Sequence, residues 1–414
     1  MRWLYIPDED DPDFIAKQET ISRIEKWWQD FEQFGLPLFK QDINELSNQS
    51  GPSDFTQWVV EHLHKIHPDI MWEVRKDDDN NDVFIATVED SYFDGGIVLT
   101  MIEMAPKLDN WRFLTHRPPV PIESIPEYLK HTIGLKFPKD IRVSWEKSDI
   151  NKIDLSYYSS TFTGDLRKDL MLTLKLTSVI LGEEMFESWI NEAEALKPAS
   201  GPAQMLNSLI GKSNLVAHDI SNLLEQCQKI KTEIIDSLPD KCQSEIVISP
   251  AVDEDAPLFM FNRDHDEENV PEARKSRRNF YLASQKLLIG LLAGIYFHSH
   301  CHSKMGEKFC YIETDLFFTD DGNLDFDTRD EFMKKIDVAL RENNLGCVVG
   351  YGSGNEKFYF DLALTDIEKT IPLLRKMAEK FKLPLDSWLL FYDSNLRDEW
   401  VGLYKDTKSP PRNF

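Results

Sequence analysis

The sequence has few cysteines, and they follow no pattern that would hold a disulfide framework or a zinc ribbon. The five cysteines are an odd number and include no Cys-x-x-Cys pair. Disulfide-rich secreted domains and structural zinc sites both depend on closely spaced, paired cysteines. The first residues, MRWLYIPDEDDPDF, lack the apolar segment and the small-residue cleavage site of a secretory signal. We therefore expect a cytoplasmic protein with reduced thiols.

Long apolar runs are also missing. The longest, Leu287–Phe297, has eleven residues, whereas a helix that crosses a bilayer needs about twenty. We interpret this run as a buried helix and expect no membrane association.

Basic residues are scarce relative to acidic ones. Lys and Arg number 47 and Asp and Glu number 72, which gives a net charge of −25. Nucleic-acid-binding proteins need basic surfaces that neutralise phosphates, and anionic membranes attract basic segments. The composition therefore excludes nucleic acid and membrane as the main partners. It favours a protein partner of basic charge, which an acidic surface would attract and orient.

A phosphate-binding loop is absent too. Gly350 and Gly352 would require a third glycine at Asn355 to complete a GxGxxG pattern, and no GK[ST] sequence follows. We interpret these two glycines, with Gly346 and Gly354, as part of a hairpin turn.

The order hairpin, helix, strand recurs along the chain. In its first occurrence, strand-like runs at 71–75 and 83–89 flank the turn DDDNND, a helix follows near 97–105, and a strand begins at Trp111. Two further stretches repeat this order, with their last elements near Trp189 and Trp388. Internal similarity of this kind indicates related structural units.

The C-terminal occurrence has an additional strand and helix in front of it. The strand covers 309–318, and Thr328 with Glu331 predicts the capped start of the helix. The resulting order, β-α-β-β-α-β, is that of the ferredoxin-like split arrangement. The predicted fold is α+β, with ferredoxin-like antiparallel sheets backed by helices, a helical N-terminal segment and a central helical linker.

These patterns divide the chain into four segments. We predict a helical N-terminal segment over 1–68 and an α/β domain with the repeated units over 69–197. A helical and irregular linker region over 198–306 precedes a ferredoxin-like α/β domain over 307–414.

The linker region contains a predicted helix over 204–238 with one apolar stripe. Its members lie at alternating steps of four and three residues: Val216, Ile220, Leu223, Cys227, Ile230 and Ile234. Such a stripe either lies across a sheet of its own chain or pairs with the same helix of a second copy. A homodimer through 204–238 is therefore one of two alternatives.

Three of the ten histidines fall within five residues, as His298, His300 and His302. On a strand, alternate residues point to one face, so three imidazoles could bind Zn²⁺ and leave one position open for catalysis. In a helix, only His298 and His302 would share a face. The alternative to a zinc site is a solvent-exposed helix end, where protonated histidines suit the helix dipole. We predict no other cofactor and no catalytic residue.

Several stretches resemble a group of uncharacterised bacterial proteins. They are APKLDNWRF, LGEEMFESWI, FCYIETDLFF, KFYFDLAL and DSWLLFYDS. The group contains domains of unknown function with a ferredoxin-like layout, found in some genomes near toxin–immunity loci. The resemblance covers most of the chain outside 198–300 and rests on core and turn residues. It therefore implies a fold, and an immunity-like role, without catalytic residues.

The predicted function is a non-enzymatic, intracellular acidic binding protein, of immunity type, that recognises a protein partner. The alternative is a metal-dependent hydrolase that uses the His-x-His-x-His cluster. A third hypothesis is a small-ligand sensor, with the ligand held between the two α/β halves.

Overall fold

A computed structural model of the chain describes residues 2–45, 53–77, 79–88, 95–132, 134, 136–197, 217–253, 255–262, 277–292, 296–319 and 321–411. These residues include helices and three sheets, and the sheets are of mixed and antiparallel type. This confirms the α+β class. The chain forms two compact units. The first comprises Met1–Arg117 and Asn395–Val401, and the second comprises Pro118–Ser394 and Gly402–Phe414.

The first unit contains a three-stranded sheet and four α-helices among its described residues. The helices are α1 (Pro12–Asp30), which continues through a π-helical turn (Phe31–Gly35) into α2 (Leu36–Glu45), then α3 (Asp54–Leu63) and α4 (Gly95–Glu103). The strands are β1 (Met71–Lys76), β2 (Asp82–Thr87) and β3 (Trp111–Leu114). β1 and β2 form an antiparallel hairpin, and β3 runs parallel to β2.

Aromatic side chains join the helices of the first unit to its sheet. The rings of Trp27 and Phe31 lie 5.6 Å and 6.0 Å from the ring of Phe84 in β2, and Trp28 lies 4.8 Å from Phe113 in β3. Residues of α1, α3, α4 and the strands share one buried cluster. The predicted boundary at 68 would cut through this core and expose it, so the N-terminal helices are not a separate domain.

One carboxylate fixes the N-terminal segment within the first unit. Glu399 accepts hydrogen bonds from the backbone N–H groups of Trp3 (2.7 Å), Leu4 (2.9 Å) and Tyr5 (3.1 Å). The guanidinium of Arg2 lies 3.8 Å from the ring centroid of Trp400. Segments from opposite ends of the sequence therefore meet in this unit.

The second unit begins with a four-stranded sheet. Its strands are β4 (Arg142–Lys147), β5 (Ile153–Tyr158), β6 (Ile190–Leu196) and β7 (His218–Asp219), in the spatial order β6-β5-β4-β7. The helices that share its core are α5 (Ile125–Thr132), α6 (Leu166–Leu181), α7 (Glu183–Trp189) and α8 (Leu223–Ser237). Trp189 ends α7 directly before β6, whereas Trp111 and Trp388 begin strands.

The apolar stripe of the predicted central helix lies across this sheet. Helix α8 begins at Leu223, and Val216 lies outside the described residues. Leu223, Cys227 and Ile234 are buried in the core with residues of β4 and β5. The described part of the stripe is thus covered by its own chain, as in the first of the two predicted alternatives, and does not present an apolar seam to a second copy.

The largest sheet has seven strands. They are β8 (Phe259–Asn262), β9 (Arg277–Leu282), β10 (Lys308–Asp315), β11 (Gly346–Gly354), β12 (Lys357–Leu364), β13 (Trp388–Phe391) and β14 (Trp400–Gly402). Their spatial order is β14-β13-β10-β12-β11-β9-β8. The associated helices are α9 (Gln243–Ile246), α10 (Gln285–Leu292), α11 (Phe326–Glu342) and α12 (Ile367–Phe381).

The predicted order β-α-β-β-α-β is present from β10 to β13. Strand β10 pairs antiparallel with both β12 and β13, so it separates the two strands that flank α12. In the first two occurrences of the repeated order, by contrast, the strand after the helix pairs directly and in parallel with the hairpin. Asp325 caps α11 by accepting from the Thr328 N–H (2.9 Å), in place of the predicted Thr328 and Glu331 cap. The ferredoxin-like name for this arrangement stays a prediction.

Gly350 and Gly352 lie inside β11, so the interpretation of them as turn residues is wrong. A Cβ at Gly352 would lie 2.1 Å from the Asn279 carbonyl oxygen of β9, and one at Gly350 would lie 2.4 Å from that of Tyr281. A side chain at either position would therefore push β9 away from β11.

No helix within the described residues is long and apolar enough to cross a membrane.

Candidate functional site

The three predicted zinc ligands lie in a loop of the second unit, residues 296–303, which we call the histidine loop. Its only regular element is a 3₁₀ turn, Ser299–Cys301, so neither the strand nor the helix considered for the sequence is present. The rings of His298 and His300 stack with centroids 5.4 Å apart, whereas His302 stacks on Phe297 at 4.8 Å. The loop therefore stacks two of the rings on each other and the third on Phe297.

Among the residues that the structure describes, no group of three or more His, Cys, Asp or Glu side chains is arranged to hold a metal ion. The predicted set of three nitrogen ligands is thus not assembled by this conformation of the loop, although all three histidines are within the described residues.

None of the three histidines lies in an α-helix, so the alternative of a solvent-exposed helix end is wrong. His298 is buried and His302 is half-buried, whereas His300 is exposed. The side chain of His298 is only 9% exposed. Burial, with a smaller contribution from nearby Lys152, lowers the pKa of His298 to about 3 and that of His302 to about 3. Partial loss of hydration around its ring, with smaller contributions from neighbouring lysines, lowers the pKa of His300 to about 4. All three imidazoles are therefore neutral near pH 7, and each offers one N–H donor and one acceptor.

Hydrogen bonds to residues just after β13 fix the backbone of the loop. Asp393 accepts from the backbone N–H of Ser299 (2.8 Å) and from its hydroxyl, and this hydroxyl in turn accepts from the N–H of Phe309 (2.9 Å). Ser394 binds both the N–H and the carbonyl of Phe297. These hydrogen bonds hold the loop backbone, and with it the rings, in place.

Lys152 is a site residue that the sequence did not indicate. It follows the β4–β5 turn, is 2% exposed, and its Nζ has no hydrogen-bond partner among the described residues. Burial lowers its pKa from 10.5 to about 8. Asn151, with a positive φ of 60°, marks the turn, but no local pattern around Lys152 indicates that its amine would be buried.

Cys301 lies near Lys152 but is not a nucleophile. Burial raises the pKa of its thiol to about 12, which outweighs the opposing effect of the lysine. The thiol faces the Ser188 carbonyl at 3.5 Å. Because the thiolate is the reactive form of cysteine, this protonated thiol has a structural role.

A cavity of about 340 Å³ in the second unit borders the histidine loop. Lys286 Nζ donates to Asn151 Oδ1 (3.0 Å), and Asn151 Nδ2 donates to the Cys301 carbonyl (2.9 Å), directly before His302. Asn151, Lys286 and His302 therefore lie together on one side of the cavity. The rest of the described lining is mainly apolar and includes Leu238, Val247, Leu287 and Phe309.

A second buried polar cluster, on the seven-stranded sheet, is fully satisfied. Arg277 donates to both carboxylate oxygens of Asp361, at 2.7 Å and 2.6 Å, and to the Tyr392 hydroxyl at 2.9 Å. Tyr392 also donates to Asp361. Phe280 and Tyr359 contact the guanidinium at 4.3 Å and 5.1 Å. With every strong donor and acceptor occupied, this cluster stabilises the sheet and does not resemble a reactive centre.

Comparison with known protein families, with curated proteins and with solved structures finds no match to this chain.

Proposed function

We propose that the chain is an intracellular, non-enzymatic binding protein that recognises a basic protein partner, in the manner of an immunity protein. The observation that carries this proposal is the uneven distribution of charge. The first unit contains 12 basic and 26 acidic residues in 124 positions, a net charge of −14, and the larger second unit has the remaining −11. More than half of the net charge thus belongs to less than a third of the chain.

Many carboxylates of the first unit are exposed to solvent. They include Glu9, Glu19, Glu25, Glu32, Asp54, Glu61, Asp69, Asp79, Glu103 and Asp109. A surface with such an excess of one sign accelerates the approach of an oppositely charged protein and orients it before contact. The five free thiols are compatible with a reducing compartment.

The hydrolase alternative has less support. A zinc hydrolase needs three protein ligands around one point and an open fourth position, whereas the described residues contain no such group of ligands and His302 stacks on Phe297. Elemental analysis of the purified protein separates the two hypotheses: one equivalent of bound zinc per chain would favour the hydrolase.

The test of the binding proposal is quantitative affinity capture from extracts of the source cells. The bait is the wild type or a variant with three exposed carboxylates of the first unit neutralised, Glu9→Gln, Glu19→Gln and Asp79→Asn. The matched control neutralises three exposed carboxylates of the second unit, Glu192→Gln, Glu379→Gln and Asp386→Asn.

We expect one basic protein in stoichiometric amount, captured by the wild type and the control but reduced with the first-unit variant. Raising the ionic strength from about 50 to about 200 mM should weaken its capture, because exposed charges are screened over about 8 Å at physiological salt. Recovery of no stoichiometric partner, or equal recovery with both variants at both salt concentrations, would refute the proposal.

A further inference from the structure

The cavity beside the histidine loop has a size and a lining suited to a small ligand. Its volume of about 340 Å³ is at the lower end of the roughly 300–1,000 Å³ of small-molecule sites. Asn151, Lys286 and His302 supply polar groups on one side, and aliphatic and aromatic side chains supply most of the remainder. A molecule with one polar end and one apolar end would match both parts of this lining.

The charge of the lining favours a ligand with an anionic polar end over one with a cationic end. None of the described residues that line the cavity is acidic, although the chain has 72 Asp and Glu residues. Lys286 is in the lining, and its contact with Asn151 Oδ1 engages one of the three ammonium hydrogens. A carboxylate could accept the others, since charge-assisted hydrogen bonds are stronger than neutral ones.

Lys152 adds positive charge behind the same side of the cavity. It follows Asn151 directly in the chain, and its buried Nζ has no hydrogen-bond partner among the described residues. Lys152 and Lys286 both lie close enough to His302 to interact with it electrostatically. A buried ammonium without a counter-charge is costly, and an anion bound nearby would reduce that cost.

From these observations we propose that the cavity binds a small amphipathic monocarboxylate, with its carboxylate at Lys286 and Asn151 and its apolar chain against Leu287, Val247 and Phe309. This site is independent of the acidic surface of the first unit, so either proposal can fail without the other. It also differs from a ligand held between two halves of the chain, because every described lining residue belongs to the second unit.

The test is isothermal titration calorimetry of the full chain with three probes that share one apolar chain and differ in their polar end. Octanoate is the carboxylate, 1-octanol the neutral analogue and octylamine the cation. We expect octanoate to bind at one site per chain, at least about tenfold more tightly than octanol, which corresponds to one charge-assisted hydrogen bond. Octylamine should bind more weakly than octanol.

Variants locate the site. Lys286→Met should reduce the affinity for octanoate about tenfold and leave that for octanol unchanged, and Lys286→Gln should give an intermediate loss for octanoate. Val247→Phe, which fills the cavity, should abolish the binding of both. The matched control is Lys376→Met, because Lys376 is an exposed lysine on α12 outside the lining.

Circular dichroism tests whether each variant is folded. Were Val247→Phe to unfold, Ile248→Trp would replace it, since Ile248 lines the cavity and is half exposed. The proposal is overturned if octanoate does not bind, if octanol or octylamine binds as tightly as octanoate, or if Lys286→Met and Lys376→Met behave alike.

Discussion

A buried lysine amine without a counter-charge can lose its proton or attract an anion. Lys152 shows the first effect, because burial lowers its pKa to about 8, and the proposed carboxylate site beside it would provide the second. Its three imidazole neighbours are neutral and its thiol neighbour is protonated, so the loop itself supplies no negative charge close to the amine. The residue therefore destabilises the unliganded fold at neutral pH.

Replacing Lys152 by Met should stabilise the protein by roughly 3 kcal/mol at pH 7, since each pKa unit corresponds to about 1.4 kcal/mol. The folded chain releases the lysine proton near pH 8 and the unfolded chain near pH 10.5. Unfolding therefore takes up a proton between these values, and the wild type gains stability relative to Lys152→Met as the pH rises through this window. Urea unfolding of both proteins at pH 7 and pH 10 measures the difference. An equal difference in unfolding free energy between the two proteins at both pH values would contradict this prediction.

The spacing of the histidines could not predict their arrangement, because distant residues determine the backbone of the loop. Asp393 and Ser394 bind Ser299 and Phe297 across more than 90 positions of the chain. Alternation along a strand holds only where neighbouring strands impose an extended backbone, and the 3₁₀ turn Ser299–Cys301 breaks it. Lys152 likewise interacts electrostatically with Cys301, about 150 positions further along the chain.

At the scale of elements, local periodicity is informative where one face of a helix or strand is buried. Ile367, Ile371, Leu374 and Ala378 of α12 recur at steps of four and three and are all buried. The hairpin β1–β2 also lies where strand-like runs and turn residues predicted it. The interpretation of the β11 glycines as turn residues was wrong because these positions need glycine for the close approach of β9. Pairing between strands that are distant in sequence leaves no local pattern.

The ion pair between β9 and β12 should show the cost of leaving one buried charge alone. Arg277 and Asp361 are 4% and 0% exposed, so Arg277→Met should destabilise the protein by about 3–5 kcal/mol. The triple variant Arg277→Met, Asp361→Leu and Tyr392→Phe should recover most of this loss, because it leaves no buried polar group unpaired. Urea unfolding gives both values.

The matched control for the buried pair is Lys369→Met, which breaks an exposed pair with Asp366 (2.7 Å) and should cost less than about 1 kcal/mol. A triple variant as unstable as Arg277→Met alone would show that packing, and not the unpaired charge, determines the loss.

At the scale of the whole molecule, the first unit is discontinuous in sequence. It needs Asn395–Val401 as well as the first 117 residues, and the contact that unites them is the Glu399 carboxylate with three successive backbone N–H groups. Segment boundaries read from composition could not reveal this, since they assume that each domain is one continuous stretch.

Substitution of Glu399 by Gln should loosen the N-terminal segment. The amide nitrogen cannot accept a hydrogen bond, and loss of a charged partner to buried donors costs about 1–3 kcal/mol. Hydrogen exchange at the amides of Trp3, Leu4 and Tyr5 should therefore accelerate about ten- to hundredfold. Glu103→Gln, at an exposed position of α4 in the same unit, should leave these rates unchanged. Unaltered exchange in Glu399→Gln would show that the carboxylate does not hold the segment.

The position of Glu399 also sets an order of events during translation. Domains usually fold as they leave the ribosome, beginning with the N-terminal one. Here the ribosome must add the entire stretch Pro118–Ser394 before the residue that holds Trp3, Leu4 and Tyr5 exists. The first segment of the nascent N-terminal unit therefore stays unanchored until nearly the whole chain has been synthesised.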